Sequence, residues 1–331
     1  MATIFKTTTQ GGQKEDLANY ISNISRDMTP FLSSIGKGKA SATTHEWSTD
    51  TLQAAALNAE IEGSTFTESS SPVIARLTNR TQIFVKGIRV SGTLESVDKA
   101  GRKSEFKYQT EKRGKEMMRD LEKTLVSKQV STASASGAVV AGAVKSGARL
   151  MGGYQSYCSQ NISSGYAVTA TAGAGMVVGA GDGSNVAANA TGTTAKAFTL
   201  ADINETLRGI NGETSAAPSK VMMSTANKVK FSDLMTSTSN VRRNIDEKGK
   251  LRQSVDLYES DFGDVELVHN YLMDDTEVFV YDPSLMSCNT LRPIQFSDIN
   301  QDGDSLRSYM VQEVTFEAKS PTGNGLIHNV A

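Results

Sequence analysis

Apolar residues recur at spacings of three and four through Phe106, Thr110, Gly114, Met117, Leu121 and Leu125, and Met118 and Val126 widen the stripe. That period places them on one face of a helix running from about Ser104 to Val130. Lys, Arg, Glu and Gln fill most other positions, and Glu111 precedes Lys115 by four residues in the favourable order. At about 1.5 Å per residue this helix reaches about 40 Å, longer than the usual helix of a compact domain. A long one-sided helix needs a broad surface to lie on.

Upstream, Leu17, Tyr20, Ile21 and Ile24 form the stripe of a shorter helix, which Pro30 is expected to stop. Phe31, Leu32 and Ile35 then read as anchors of an arm that docks by a few apolar contacts. Residues 43–49 predict a strand around the sole tryptophan, Trp47. Residues 53–72 are small, acidic and turn-rich, as at a hairpin tip. From Val73 to Gly92 the chain alternates with period two. Arg76, Thr78, Arg80, Gln82 and Phe84 share one face; Leu77, Asn79, Thr81, Ile83 and Val85 share the other. Both faces are largely polar near the tip, so such a ribbon cannot bury itself and calls for another surface, that of a neighbouring subunit.

After the long helix, residues 131–196 are dominated by Gly, Ala, Ser and Thr, with Lys145, Arg149, Asp182 and Lys196 as their charges. Only the stretch Arg149 to Tyr154 carries anchors; the tract otherwise reads as a loop or small-residue insertion. Regular patterning resumes at Thr199, which with Asp202 fits a capping box before Leu200, Ile203, Leu207 and Ile210. A short strand at Val221 to Met223 follows. A helix then carries Val229, Phe231, Leu234 and Met235, capped by Ser224 or Thr225, and strands follow at 254–260, 264–270 and 277–283. This order suggests a compact α/β unit over 199–290. Tyr309 to Ala318 alternates with Met310, Gln312, Val314, Phe316 and Ala318 on one side, and 325–330 forms a closing strand. The fold class is α+β.

Composition narrows function mainly by exclusion. The 331 residues suffice for two or three structural units, and 34 basic against 36 acidic residues leave a net charge of −2. That balance gives no sign of a base-reading nucleic-acid module. Cys158 and Cys288 read as reduced cytosolic thiols, no signal peptide opens the chain, and no apolar run is long enough to span a membrane. The three histidines at 45, 269 and 328 are far apart in sequence. The Gly-rich run 173–183 is one residue off a dinucleotide fingerprint and lacks the helix and acidic partner that would complete it. Asp298 to Gly303 matches half a calcium loop, but Tyr309 stands where the bidentate Glu belongs; a polar hairpin turn is expected instead. No catalytic constellation, cofactor site or metal site can be assembled, so enzymatic activity is unsupported.

Taken in order, the arm, ribbon, long helix, α/β unit and returning strands resemble the major capsid proteins of tailed phages with the Hong Kong 97-like fold. The local sequence from Lys14 to Ala40, THEWSTDTL with ALNAEIEG, the long helix, ARLMGGYQSY, and Leu291 to Val330 resemble podovirus-type major head proteins over nearly the whole chain except about 165–196. The resemblance implies an N-terminal arm (1–42), an E-loop hairpin (43–93), and a spine helix with P-domain (94–198, insertion 131–196). It also implies an A-domain (199–290) and strands returning to the P-domain (291–331). It further implies self-assembly into pentamers and hexamers of an icosahedral or prolate head around double-stranded DNA, with nonspecific DNA contact and no membrane. A separate scaffolding protein, a portal and decoration proteins are the implied partners, and the virion the implied location after synthesis in the host cytoplasm. The founding member joins subunits by an isopeptide bond from an E-loop lysine; here no lysine lies between Lys39 and Lys86, so a non-covalent shell is expected. Charge suggests that the acidic tip (Glu60, Glu62, Glu68) meets basic residues of a neighbour, such as Lys112, Arg113 or Arg119 of the spine helix. Arg242 and Arg243 are a further candidate contact. An encapsulin-like compartment and, from another class, a secreted β-rich adhesin remain alternatives at this level.

Overall fold

A computed structural model describes residues 28–53, 55–65, 72–99, 101–134, 145–158, 160–163, 181–184, 198–214, 217–237, 256–300, 303–328 and 330. The elements in order are α1 (Pro30–Ser34), β1 (Gly36–Lys39), β2 (Thr44–Thr49), β3 (Ala75–Arg80), β4 (Gln82–Ser91), α2 (Gly92–Ser96) and α3 (Glu105–Val126). Next come β5 (Gln160–Ser163), α4 (Leu200–Glu213), β6 (Lys220–Met223), α5 (Thr225–Ser237), β7 (Leu257–Ser260) and β8 (Gly263–His269). The chain closes with β9 (Glu277–Tyr281), β10 (Met286–Ile299), β11 (Ser305–Ala318) and β12 (Gly325–His328). They form sheets of order β1-β10-β11-β4, β5-β12-β9-β6-β8-β7 and β2-β3. The described residues resolve into two compact units, one built from Val85–Met117 and Phe296–Met310, the other from within Thr29–Phe84, Met118–Gln295 and Val311–Ala331. These boundaries fall inside β4, α3, β10 and β11.

The larger unit is built around the six-stranded sheet. Ile203, Leu207 and Ile210 of α4 and Phe231 of α5 pack with Val221 and Met223, Val265 and Leu267, Val278 and Val280, and Ile327 from the strands. Each such side chain contributes about 1.5–3 kcal/mol on burial. The Asp202 carboxylate accepts from the Thr199 backbone N–H at 2.9 Å, the acidic half of the expected box. Ser224 caps α5 by accepting from the Asn227 N–H. Val229, expected on the α5 stripe, is exposed, and Asn227 is buried instead. Asn227 and Phe231 are four apart on one face, whereas Val229 lies two residues from Phe231 and so points about 200° round the helix. The closing strand, β12, pairs with β9 and β5 inside this sheet.

A second focus is aromatic. Phe31, Tyr154, Phe279, Tyr281 and Phe316 meet at ring separations of 4.3–6.2 Å. The Tyr154 hydroxyl lies within hydrogen-bond reach of the Val280 and Gly325 carbonyls. The anchors expected at 149–154 are therefore central, and Leu150, Met151, Tyr154 and Tyr157 are all buried.

Three elements depart from the pattern-based reading. The segment from Pro30, read as an irregular arm, opens with a helix: Pro30 occupies the first turn of α1, where a missing N–H costs nothing, and the Gly-Lys-Gly-Lys segment behind it is a strand, while the helix expected upstream over Leu17 to Ile24 lies outside the described residues. Helix α3 ends at Val126, four residues early. Gly153 comes against its last turn, its N–H donating to the Gln129 carbonyl at 2.9 Å. A Cβ on Gly153 would stand 2.8–2.9 Å from the carbonyl oxygens of Ser127, Leu125 and Thr124. Those are backbone atoms that cannot swing aside. Gly153→Ala is accordingly expected to cost about 2–4 kcal/mol and to reduce soluble yield, read by thermal unfolding beside Gly87→Ala, where a Cβ meets nothing within 4 Å, as a solvent-facing control. The third departure is the long alternating run. Its buried positions are Leu77, Asn79 and Thr81, then Phe84, Ile88 and Val90, so the phase flips between 81 and 84. The flip marks a change of sheet: β3 pairs with β2, while β4 joins the four-stranded sheet.

The smaller unit contains the distal part of β4, α2, the first half of α3 and the adjacent ends of β10 and β11. Ser91 caps α2 by accepting from the Leu94 N–H. Glu95 caps α3 from ten residues away, its carboxylate accepting from the N–H groups of Glu105 and Phe106 at 2.9 and 3.2 Å. Phe106 meets Phe296 edge-on at 6.0 Å. The expected turn near 298–303 joins two strands, β10 and β11, with Gly303 at φ +77°.

Candidate assembly surfaces

The β2–β3 ribbon is in register from Thr44 opposite Arg80 to Thr49 opposite Ala75. Beyond it, the described residues from 50 to 74 form no helix or strand; Gly63, at φ +84°, makes the turn. Leu52, Leu57, Ile61, Val73 and Ile74 all stand in solvent on this loop, Leu57 with nothing covering it. The polar ties within it are light: Ser64 donates to the Glu60 carboxylate at 3.1 Å and its N–H to the Ile61 carbonyl. A stretch with five large exposed apolar residues and no core of its own is what an interaction arm looks like before its partner is present.

The root of the ribbon, by contrast, is fixed inside its own subunit, which corrects the expectation that its polar positions seek a neighbour. Asn79, fully buried, donates to the Gly152 and Phe316 carbonyls and accepts from the Gly152 N–H. Thr81 donates to Glu313 at 2.7 Å. The same buried carboxylate receives Arg149 at 2.6 Å and Arg292 at 2.8 Å, so one acid is answered by two guanidiniums and a hydroxyl. Trp47 donates to the Ala318 carbonyl, and the Tyr157 hydroxyl to that of Thr78. Buried polar groups must be paired, and this set pairs across four segments distant in sequence. Nothing in local sequence marks Asn79, Thr81 or Glu313 as buried; only their partners do.

The residues expected at subunit contacts separate into groups. Glu60 and Glu62 are exposed on the loop, and Lys112 is exposed on α3. Arg113 pairs with Glu116 one turn on, at 2.5 Å. Arg119 is half-buried with its guanidinium 5.9 Å from the Tyr271 ring centre, and its Nε is buried without a hydrogen-bond partner among the described residues. Arg113 and Arg119 are thus engaged within their own subunit. Glu68, Arg242 and Arg243 lie outside the described residues.

The arm residues dock through a device that the sequence does not announce. Glu122 of α3 is fully buried; one oxygen accepts from the Phe31 N–H at 2.9 Å and from Asn270 at 2.6 Å, the other from the Leu32 N–H at 2.8 Å. It does for α1 what a cap residue normally does, since Thr29 provides no side-chain cap. Burial lifts the Glu122 carboxyl above its ordinary range, opposed by these three hydrogen bonds. Beside α1, strand β1 forms one wall of a cleft of about 610 Å³. On its floor, Glu317 accepts from His45 at 3.0 Å, from Ser287 at 3.2 Å and from Asn289. Burial would raise the Glu317 carboxyl, but these hydrogen bonds hold it below its ordinary range.

Neither thiol is in a disulfide and both are buried, and burial pushes Cys158 up to about 12 and Cys288 to about 11. Among the described residues no group of three or more His, Cys, Asp and Glu is placed to hold a metal ion. No described helix is long and apolar enough to cross a membrane.

A long helix, an extended ribbon with an exposed loop and an α/β unit on a mixed six-stranded sheet define the Hong Kong 97-like capsid fold, and solved capsids share it. The capsid subunit of cyanophage A-1(L) superposes with a TM-score of 0.68 at 10% identity, covering 96% of this chain and 97% of that one. The capsid of a native GTA particle gives 0.58 at 12% identity, covering 98% of each chain. In sequence, the major capsid protein of Escherichia phage Phieco32 is 29% identical over 344 residues, spanning 99% of this chain and 97% of the relative. The family model described as SU10 major capsid protein matches residues 3–331, and the chain belongs to that family. It is a major capsid protein of a tailed phage, a shell-forming structural subunit of the virion.

Proposed function

We propose that this subunit builds an icosahedral or prolate head from pentamers and hexamers held by non-covalent contacts, and that the head encloses double-stranded DNA. The observation that carries the reading is the set of described residues between 50 and 74, whose large apolar side chains are exposed and which stand on a root locked by buried polar pairs. A rigid root with a bare tip suits an arm that lies across an adjacent subunit, as the E-loop. In this reading residues 1–42 are the N-terminal arm, the long helix is the spine of the P-domain, and 199–290 is the A-domain facing the capsomer centre. Synthesis in the host cytoplasm, a separate scaffolding protein, a portal and decoration proteins complete the reading. DNA is met through its phosphates without base readout, in keeping with the balanced charge.

Non-covalent closure rests on the absence of lysine between Lys39 and Lys86, which leaves the loop without the amine an isopeptide bond requires. Purified particles imaged by electron microscopy and then boiled in detergent are expected to show closed shells that collapse to a single band of 35.4 kDa. A ladder of covalent multimers would overturn the non-covalent reading. Shells lacking DNA and holding a co-purifying enzyme would instead favour an encapsulin-like compartment.

A further inference from the structure

On the floor of the cleft beside α1, strands from two sheets bring together polar atoms whose contacts do not close as hydrogen bonds. His45 Nε2 of β2 lies 3.0 Å from Glu317 Oε2 of β11 and 2.9 Å from the side-chain nitrogen of Asn289 on β10. That nitrogen also donates to Glu317 Oε2, so each of the three atoms stands against the other two. A ring nitrogen carries either a proton or a lone pair, an amide nitrogen only donates, and a carboxylate oxygen only accepts. Burial would raise the Glu317 carboxyl, but its partners hold it below its ordinary range, so it is the ionised acceptor. A triangle of such atoms always leaves one side mispaired. With Nε2 protonated, two N–H groups crowd each other; with Nε2 bare, its lone pair faces the carboxylate. Turning the Asn289 amide over exchanges its oxygen and nitrogen without changing its shape, and sets oxygen against carboxylate oxygen.

A cation among the three removes the conflict. We propose that His45 Nε2, Glu317 Oε2 and the turned Asn289 Oδ1 bind a divalent first-row transition ion such as Zn²⁺, which ties the root of the ribbon to the four-stranded sheet. Donors about 2.1 Å from an octahedral ion lie about 3.0 Å apart, close to the separations of His45 Nε2 from its two neighbours. One imidazole beside two oxygens favours a transition ion over Mg²⁺ or Ca²⁺. Three donors on one side leave the other positions to water from the cleft of about 610 Å³ that His45, Asn289 and Glu317 line. Ser287 is a positioning residue: its hydroxyl is 3.0 Å from the far end of the Asn289 amide and 3.2 Å from Glu317, so it accepts from the turned amide and donates to the carboxylate. Asn289 is 3% exposed and lies where a Cβ on Gly38 would stand, so glycine at 38 is what leaves room for it. Lys37 and Lys39 lie on the face of β1 opposite Gly38. Lys319, exposed at the same cleft, opposes a cation, so a site of modest affinity is expected. The site lies within one subunit and does not depend on how subunits assemble.

The test is equilibrium dialysis of the full-length chain against Zn²⁺, with the bound metal measured by elemental analysis. Wild type is expected to hold one more ion per subunit than His45→Ala or Glu317→Gln, and a tenfold excess of Mg²⁺ is expected to leave that ion in place. Zn²⁺ at about a hundred times its dissociation constant is expected to raise the thermal midpoint of wild type by about 4 °C and of neither variant. Asn289→Asp keeps the proposal testable should those two variants fail to fold. It sets a second carboxylate against Glu317, so its midpoint is expected to fall in a chelator and to recover in Zn²⁺, with affinity about tenfold tighter than wild type. Equal uptake by wild type and the His45 and Glu317 variants overturns the site. So does an Asn289→Asp chain whose midpoint Zn²⁺ does not restore. Displacement by Mg²⁺ overturns the assignment to a transition ion.

Discussion

Glu122→Leu is expected to release the arm and lower the thermal midpoint by about 10 °C. The substitution preserves volume but leaves the Phe31 and Leu32 N–H groups and the Asn270 amide without an acceptor. Three buried donors lose a charged partner at once, a loss of about 3–5 kcal/mol. Phe31 is fully buried against Tyr154, Tyr281 and Phe316, so its displacement would also open the aromatic cluster. Glu122→Gln keeps one acceptor oxygen and is expected to cost less than half as much. Limited proteolysis near Met28 to Ser34 would report the detached arm directly. A midpoint shift below about 2 °C for the leucine variant would show that Glu122 does not hold the arm.

A second large effect concerns pH. Glu277 and His328 stand opposite each other in the β9–β12 register, both almost wholly buried. Glu277 Oε2 and His328 Nε2 have no hydrogen-bond partner among the described residues. Burial pushes the Glu277 carboxyl up to about 7, against the pull of Lys128, its ion-pair partner; Asp274 adds to the rise. Burial, with Lys128 adding to it, pushes the His328 imidazole down to about 4. A carboxyl with a raised folded pKa contributes stability that is complete below its unfolded value, about 4.5, and is lost as pH rises through about 7. A histidine with a depressed folded pKa does the reverse: its contribution is complete above about 6.5 and lost as pH falls through about 4. Between about pH 4.5 and 6.5 the two slopes oppose each other, and the wild type is flattened.

Single variants should unmask each slope. Relative to wild type, Glu277→Gln is expected to make stability climb with pH across that window, and His328→Asn to make it fall, by about 2–3 kcal/mol in each case. Calorimetric midpoints at several pH values would show two curves of opposite slope. Parallel curves for the two variants and the wild type would sink the assignment.

The helix α3, the α/β succession from α4 to β9 and the strand β11 were legible in the sequence because each is specified by a local period. Apolar spacing of three and four, or of two, is a property of neighbours along the chain, and turns or capping residues bracket it. The resemblance to phage capsid proteins was legible for a related reason: the order of such elements is linear information. The spacing also showed an exposed, acidic, lysine-free loop, because composition alone defines it.

Tertiary structure decided what lies under that loop. Asn79, Thr81, Glu122 and Glu313 read as solvent-facing polar residues, yet all are buried, since each finds donors or acceptors 73–237 residues away. Whether a polar side chain is buried depends on partners that no local window contains. The same holds for the flip of the ribbon after Thr81, where the chain leaves one sheet for another, and for the early end of α3, where Gly153 arrives from a separate segment. Sequence determined the elements and their order because short-range periodicity encodes them. The buried pairings and the seat of the arm arose only when distant segments met, because hydrogen bonding and desolvation act through space.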